Sequence, residues 1–232
     1  MTFKDLNIRK GYNSDNTISS GPLHQFYIPV LSTSKEYWRL TGYFSSGSIR
    51  AAATGIRQLI HNKGTMKLIT GLEFSYEDKK AIEEGIESIE NKITQKMSKI
   101  IDEELKDEDF TLQPAKVLGY MLKKGILEIK IIDVTGTGIG HPKIGVMIDD
   151  ENNHISFSGS NNETGSGWLN NIEEFKVFKE YESVESDFYQ IDETNFKNFW
   201  LGNTQRCTIY DLPGPIMNKF IEMAPEEIES LD

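Results

Sequence analysis

A single cysteine, Cys207 in RCTIYDLP, leaves the 232-residue chain unable to form an internal disulfide or a CxxC metal site. That residue reads as a small apolar member of a strand. No apolar run approaches the roughly 18–20 residues of a membrane-spanning helix. The start, MTFKDLNIRKGYNSDN, lacks the hydrophobic core of a signal peptide, so a cytoplasmic protein without membrane contact is expected. There is no GxxxxGK(S/T) nucleotide loop, no internal repeat, and no carboxylate or histidine cluster with metal-ligand spacing. Neither a cofactor nor a metal is expected.

Positive charge is also scarce: Lys and Arg number 25 against 36 Asp and Glu, for a net charge of −11. A nucleic-acid partner normally meets a basic surface, so the distribution matters more than the sum. Asp102, Glu103, Glu104, Asp107, Glu108 and Asp109 crowd one short segment. Lys35, Arg39, Arg50, Arg57, Lys63 and Lys67 face only Glu36 between Lys35 and Lys67, which allows a locally basic face.

Hydrophobic residues at 38% are enough for a core, and the length suits one domain over 1–232. Residues 1–21, rich in Asn, Ser, Asp and Gly, read as an irregular arm. Phe26, Tyr27, Ile28, Val30 and Leu31 form an apolar anchor. YWRLTGYF is a strand running into a serine-rich turn that caps the helix SIRAAATGIRQLIHNKG, closed by Gly64. TMKLITGLEF completes a βαβ unit. A helical segment over 76–124 separates two β-rich halves. Within it Ile82, Ile86, Ile89, Ile93, Met97, Ile100 and Ile101 recur every three or four residues, an apolar stripe over one long helix. ILEIKIIDV is the clearest strand. KIGVMID and HISFSGS form a hairpin through DENN, with His154 exposed at its end. EEFKVFKEY fits a strand or a short helix. DETNFKNFWLG reads as a helix, TQRCTIYDLP as a strand and PIMNKFIEM as a final helix.

The chemistry gathers between His141 and Glu173, in HPKIGVMIDDENNHISFSGSNNETGSGWLNNIE. Histidine suits nucleophilic and proton-transfer roles because its unperturbed pKa lies near working pH. On an extended strand Lys143 shares a face with His141, so both can address one phosphate. Asn162 offers an amide donor, Ser160 a hydroxyl, and Gly159 a close backbone approach. Glu173 can orient the imidazole. Trp168 fits either a core wedge or a base-stacking residue, and Asn161 and Glu163 shape the loop. One histidine cannot both attack phosphorus and protonate the leaving oxygen in the same step.

HPK followed by an apolar strand and GSNN resembles the HxK and GSxN signature of the phospholipase D superfamily, with Glu173 in the place of the family's downstream glutamate. The wider pattern, from FYIPVL through FSGSNNETGSGWLNNIEEFKVF, resembles phospholipase D-like nuclease domains of bacterial restriction and defence proteins, alone or ahead of helicase modules. The resemblance implies an α/β fold with a mixed, largely parallel β-sheet flanked by helices on both faces and one HxK/GSxN motif per chain. It implies His141 as nucleophile, Lys143 and Asn162 as phosphate ligands, Ser160 as a supporting donor and Glu173 as the residue orienting histidine. The aspartate of the longer motif would fall at Ile148, whereas Asp149 and Asp150 follow it. Single-motif members pair as homodimers, so the missing acid would be a second His141. The implied activity is metal-independent DNA cleavage through a phosphohistidine, with DNA favoured over RNA, a role in restriction or anti-phage defence, and a helicase or ATPase partner in cis or trans. The alternative is a catalytically silent nucleic-acid-binding and dimerisation module of a helicase-linked system.

Overall fold

The structure is a computed structural model, and it describes residues 1–15, 21–45, 48, 51–72, 75–104, 112–134, 142–164 and 171–227. Its elements in chain order are β1 (Gly11–Asn13), α1 (Ile28–Thr33, entered through a π-helical turn at Leu23–Tyr27), β2 (Ser34–Thr41), α2 (Ala53–His61) and β3 (Thr65–Gly71). Then come α3 (Tyr76–Glu83), α4 (Ile89–Glu104), α5 (Leu112–Lys123), β4 (Leu127–Val134), β5 (Ile144–Asp149) and β6 (His154–Gly159). β7 (Glu174–Lys179), α6 (Ser186–Trp200), β8 (Cys207–Asp211) and α7 (Gly214–Glu222) complete the series.

The strands form one 8-stranded sheet in the order β1-β7-β6-β5-β2-β3-β4-β8. β2, β3 and β4 run parallel, joined by helical crossovers. Every other pairing between these strands is antiparallel, and an isolated parallel bridge joins Phe44 to Glu163. The sheet is mixed and flanked by helices, as expected, but its balance is antiparallel rather than largely parallel. Part of the reason is local: β5 and β6 are joined by a tight turn at residues 150–153, too short for a crossover helix, and such a connection reverses the chain.

Alternation along each strand divides the core. One sheet face presents Tyr37, Leu68, Ile131, Met147, Phe157 and Phe175 to a large apolar cluster that also includes side chains of α1, α2, α4, α5 and α7. The opposite face presents Leu40, Ile69, Ile132 and Val146, packed with Tyr189 and Phe196 of α6.

Four expectations are corrected. The N-terminal arm is not irregular throughout. Its residues 11–13 add the edge strand β1 to β7, and Tyr12 stacks on Phe175 with ring centroids 5.3 Å apart. The long helix over 76–105 is two helices, because Gly85 takes a left-handed φ of 69° between them. α3 begins with a capping box in which Ser75 Oγ accepts from the Asp78 N–H over 3.1 Å and Asp78 Oδ2 accepts from the Ser75 N–H over 3.0 Å. His154 is not an exposed hairpin end: it is half-buried, with Nδ1 2.6 Å from the Tyr189 hydroxyl. Nor do the cations between Lys35 and Lys67 share a face. Arg39 is wholly buried, and Lys67 sits over Trp38 and Trp200 on the opposite side of the sheet.

The hairpin is as expected. Asn152, at φ 60°, turns the chain between β5 and β6, and Asp149 holds the turn. Its carboxylate accepts from the Asn153 N–H at 2.8 Å, the Glu151 N–H at 3.0 Å and, from the N-terminus, the Phe3 N–H at 2.7 Å. This aspartate, one position beyond the one the family motif would use, is a structural anchor.

Candidate phosphate-binding site

The candidate residues collect at the end of the sheet where β5 begins and β6 ends. β2 pairs with β5 through Arg39↔Gly145 and Leu40↔Ile144, and the same register brings Thr41 opposite Lys143. By alternation Arg39, Thr41 and Lys143 lie on one sheet face. The Lys143 carbonyl accepts from the Gly159 N–H at 3.4 Å, which ties the start of β5 to the end of β6. The Lys143 ammonium has its pKa lowered, first by burial and then by the positive charge of Arg39, with Glu173 acting in the opposite sense. Arg39 and Glu173 thus both stand within electrostatic reach of Lys143.

Gly159 is required by close approach. A Cβ there would stand 2.2 Å from the Glu174 carbonyl oxygen and 2.5 Å from Phe175 Cα. Ser160 follows, and its hydroxyl donates to Glu173 Oε2 in a short hydrogen bond while accepting from the Glu174 N–H over 3.1 Å. A hydroxyl has one proton. Ser160 therefore serves Glu173 rather than donating into the pocket. The other Glu173 oxygen accepts from Asn171 Nδ2 at 3.2 Å. Ser14 secures the backbone: its N–H donates to the Glu173 carbonyl at 2.9 Å, and its Oγ accepts from the Glu173 N–H at 2.7 Å.

Asn162 is held by its amide oxygen. The Tyr43 N–H donates to Oδ1 over 3.2 Å, and Thr41 Oγ1, which donates at 2.8 Å to the Tyr43 carbonyl, lies 3.3 Å from the same oxygen. A backbone N–H can only donate, so the atom facing it must be the oxygen, and the NH₂ points the other way. Among the described residues nothing accepts from that NH₂. The result is a neutral double donor whose NH₂ is directed away from Thr41 and the Tyr43 N–H.

Behind Asn162 lies a buried ionic cluster. Arg39 is 0% exposed and Glu163 1%. Arg39 Nε stands 3.1 Å from Glu163 Oε2, off the N–H direction, so the contact is an ion pair rather than an aligned hydrogen bond. Arg39 Nη2 donates to the Asn161 carbonyl in a short hydrogen bond. Both Glu163 oxygens also accept phenolic protons, one from Tyr27 in a short bond and one from Tyr37 at 2.9 Å. Burial, reinforced by the Glu163 charge, holds both phenols well above their ordinary pKa and keeps them donors.

Lys143, Ser160, Asn162 and Glu173 are therefore brought to one end of the sheet. His141 and Trp168 lie outside the described residues. Sequence reasoning missed Arg39, Thr41 and Ser14. The available signal was a charge in the apolar stretch YWRLT, which an exposed reading of Arg39 set aside.

No protein-family model matches the chain, and no curated protein matches it. Solved structures do. NucT from Helicobacter pylori is 13% identical, with 80% of this chain and 89% of that one covered and a TM-score of 0.43. Nuc from Salmonella typhimurium, a phospholipase D family member, is 13% identical, with coverage of 87% and 96% and a TM-score of 0.42. The phosphatidylserine synthase of Haemophilus influenzae is 13% identical, with coverage of 88% and 42% and a TM-score of 0.46. All three likenesses stand at 13% identity and at TM-scores below 0.5.

Proposed function

We propose that the chain is a phosphodiesterase of the phospholipase D type, acting on DNA through a covalent phosphohistidine, with its active site completed by a second copy of the chain. The observation that carries this reading is the Asn162 carboxamide, tethered at its oxygen and directing its NH₂ away, at the strand end shared by Lys143, Ser160 and Glu173. A preorganised cation and a neutral donor are what a phosphodiester needs as charge redistributes over its non-bridging oxygens.

In the proposed reaction His141 attacks phosphorus through one ring nitrogen, a P–N bond forms and the bond to the leaving oxygen breaks. The leaving oxygen takes a proton from His141 of the partner subunit. Water then attacks the phosphohistidine, giving its proton to that same partner imidazole, and His141 is released. Lys143 and Asn162 hold the non-bridging oxygens throughout. Glu173, fixed by Ser160, Asn171 and Ser14, orients the imidazole.

The test is cleavage of plasmid and oligonucleotide DNA in the presence of EDTA, by wild type and by His141→Ala, with sedimentation at micromolar concentration. Cleavage that EDTA leaves intact and His141→Ala abolishes, with DNA binding retained and a dimer in solution, is the expected result. Binding without turnover and without a labelled histidine would point instead to a silent DNA-binding module, and a fully active monomer would remove the shared site.

A further inference from the structure

Burying an ion pair costs several kcal/mol per ion, and such a pair is weak as a stability device. The Arg39–Glu163 pair carries a further cost. The buried side-chain atoms without a hydrogen-bond partner among the described residues are Arg39 Nε and Nη1 and the two amide atoms of Asn161. Departures of this kind from the best-packed arrangement collect where a structure serves something other than stability.

What the pair grips is informative. Arg39 Nη2 binds the Asn161 carbonyl, on one side of Asn162 in the chain. On the other side Glu163 is held by Arg39, Tyr27 and Tyr37 through its carboxylate, and its N–H donates to Thr41 Oγ1 over 3.0 Å. The Glu163 carbonyl accepts from the Ser45 N–H at 3.0 Å. Both chain neighbours of Asn162 are therefore fixed from β2 and from the π-helical turn before α1, and Thr41 Oγ1 lies between the Glu163 amide and the Asn162 oxygen.

We propose that Arg39 and Glu163 are positioning residues of the phosphate pocket: the buried pair clamps the backbone on either side of Asn162 and so sets the direction in which its amide is presented beside Lys143. This rests on the phosphate-binding reading above and adds the device that preorganises it. A second consequence is electrostatic. Lys143 faces Arg39 from β2 and Glu173 from the segment entering β7, and Glu163 neutralises Arg39 from behind. Removing the Arg39 charge should raise the Lys143 titration midpoint, and removing the Glu163 charge should lower it.

The test uses the unliganded full chain. Nuclear magnetic resonance follows the Asn162 side-chain NH₂ signals and the titration of the Lys143 side chain in Arg39→Gln, Glu163→Gln and Tyr37→Phe. Ser156→Ala, a buried hydrogen-bond loss on the opposite sheet face, is the control for mere destabilisation. Tungstate affinity by calorimetry is the second readout. The expected result is opposite shifts of the Lys143 midpoint in the two charge variants, displaced Asn162 signals in all three, and tungstate binding weakened roughly tenfold, the equivalent of one hydrogen bond to a charged group. Ser156→Ala should change none of these. Should the charge variants fail to fold, Tyr37→Phe decides, and wild-type Asn162 signals in it overturn the proposal. Wild-type protein that binds no tungstate yet shows the NMR shifts would remove the phosphate reading and leave the clamp standing.

Discussion

The Tyr43 N–H donates to Asn162 Oδ1 over 3.2 Å, a backbone donor that dictates which end of the carboxamide faces the pocket. Thr41 Oγ1 lies 3.3 Å from the same oxygen and receives the Glu163 N–H, so one threonine sits between the buried ion pair and the Asn162 carboxamide. The arrangement costs buried polar groups and delivers orientation, the quantity that preorganised anion sites depend on.

Asn162→Asp retains an oxygen for Thr41 and Tyr43 but turns a carboxylate oxygen toward the pocket in place of the NH₂. We expect tungstate affinity to fall roughly a hundredfold or more, since a donor is replaced by a like charge, with stability changed by less than about 1 kcal/mol. Calorimetric titration alongside thermal unfolding checks both halves. Unaltered affinity would mean that Asn162 does not face the anion.

Gly159→Ala introduces a Cβ 2.2 Å from the Glu174 carbonyl oxygen, and a backbone neighbour in a paired strand cannot step aside cheaply. The expected cost is at least about 2 kcal/mol in urea unfolding, with β6 and β7 forced apart. Because Ser160 and Glu174 exchange two hydrogen bonds at this point, DNA cleavage by the folded variant should fall as well.

Asp149→Ala removes the acceptor of the Phe3, Glu151 and Asn153 N–H groups. Leaving buried donors unpaired should destabilise the fold by about 2–4 kcal/mol. Tungstate affinity of the folded fraction should stay at the wild-type level, because Asp149 ends β5 away from Lys143. A matching loss of affinity would assign this aspartate to the site.

Asp192 is buried on the sheet-facing side of α6, where Ser156 Oγ donates to it over 2.8 Å, and burial raises its pKa against the opposing effect of the Ser156 and Ser158 hydroxyls. A carboxyl whose folded-state pKa lies above its unfolded value near 3.8 favours the fold when protonated. That contribution is complete below pH 3.8 and is lost as pH rises through the folded-state pKa. Asp192→Asn, permanently neutral, should therefore raise the unfolding temperature at pH 7, and the gain should shrink as pH is lowered toward 3.8. Thermal scans across that range check the sign, and a gain independent of pH would contradict it.

The strands and helices were legible where a local pattern decides them. ILEIKIIDV and the β5–β6 hairpin over DENN follow from side-chain alternation and from turns that only certain φ values permit. The left-handed residue that closes α2, by contrast, is Lys63, at φ 56°, and Gly64 after it is required by close approach, since a Cβ there would stand 2.9 Å from the Lys35 carbonyl oxygen. The candidates Lys143, Ser160 and Asn162 were legible because a strand period and a Gly-Ser turn place them around one hairpin, whereas Glu173 joins them only through the pairing of β6 with β7. Their roles were less so. Ser160 was expected as a supporting donor, and the structure shows its hydroxyl donating to Glu173.

What the sequence by itself determined, then, was local geometry and the residue types of the candidate site. Tertiary structure alone decided that β5 pairs with β2, which brings Thr41 opposite Lys143, and that Arg39 leaves the surface to meet Glu163 and two tyrosine hydroxyls. Those contacts join segments far apart in the chain. No periodicity encodes them, because the free energy of a buried charge depends on partners that only the assembled sheet provides.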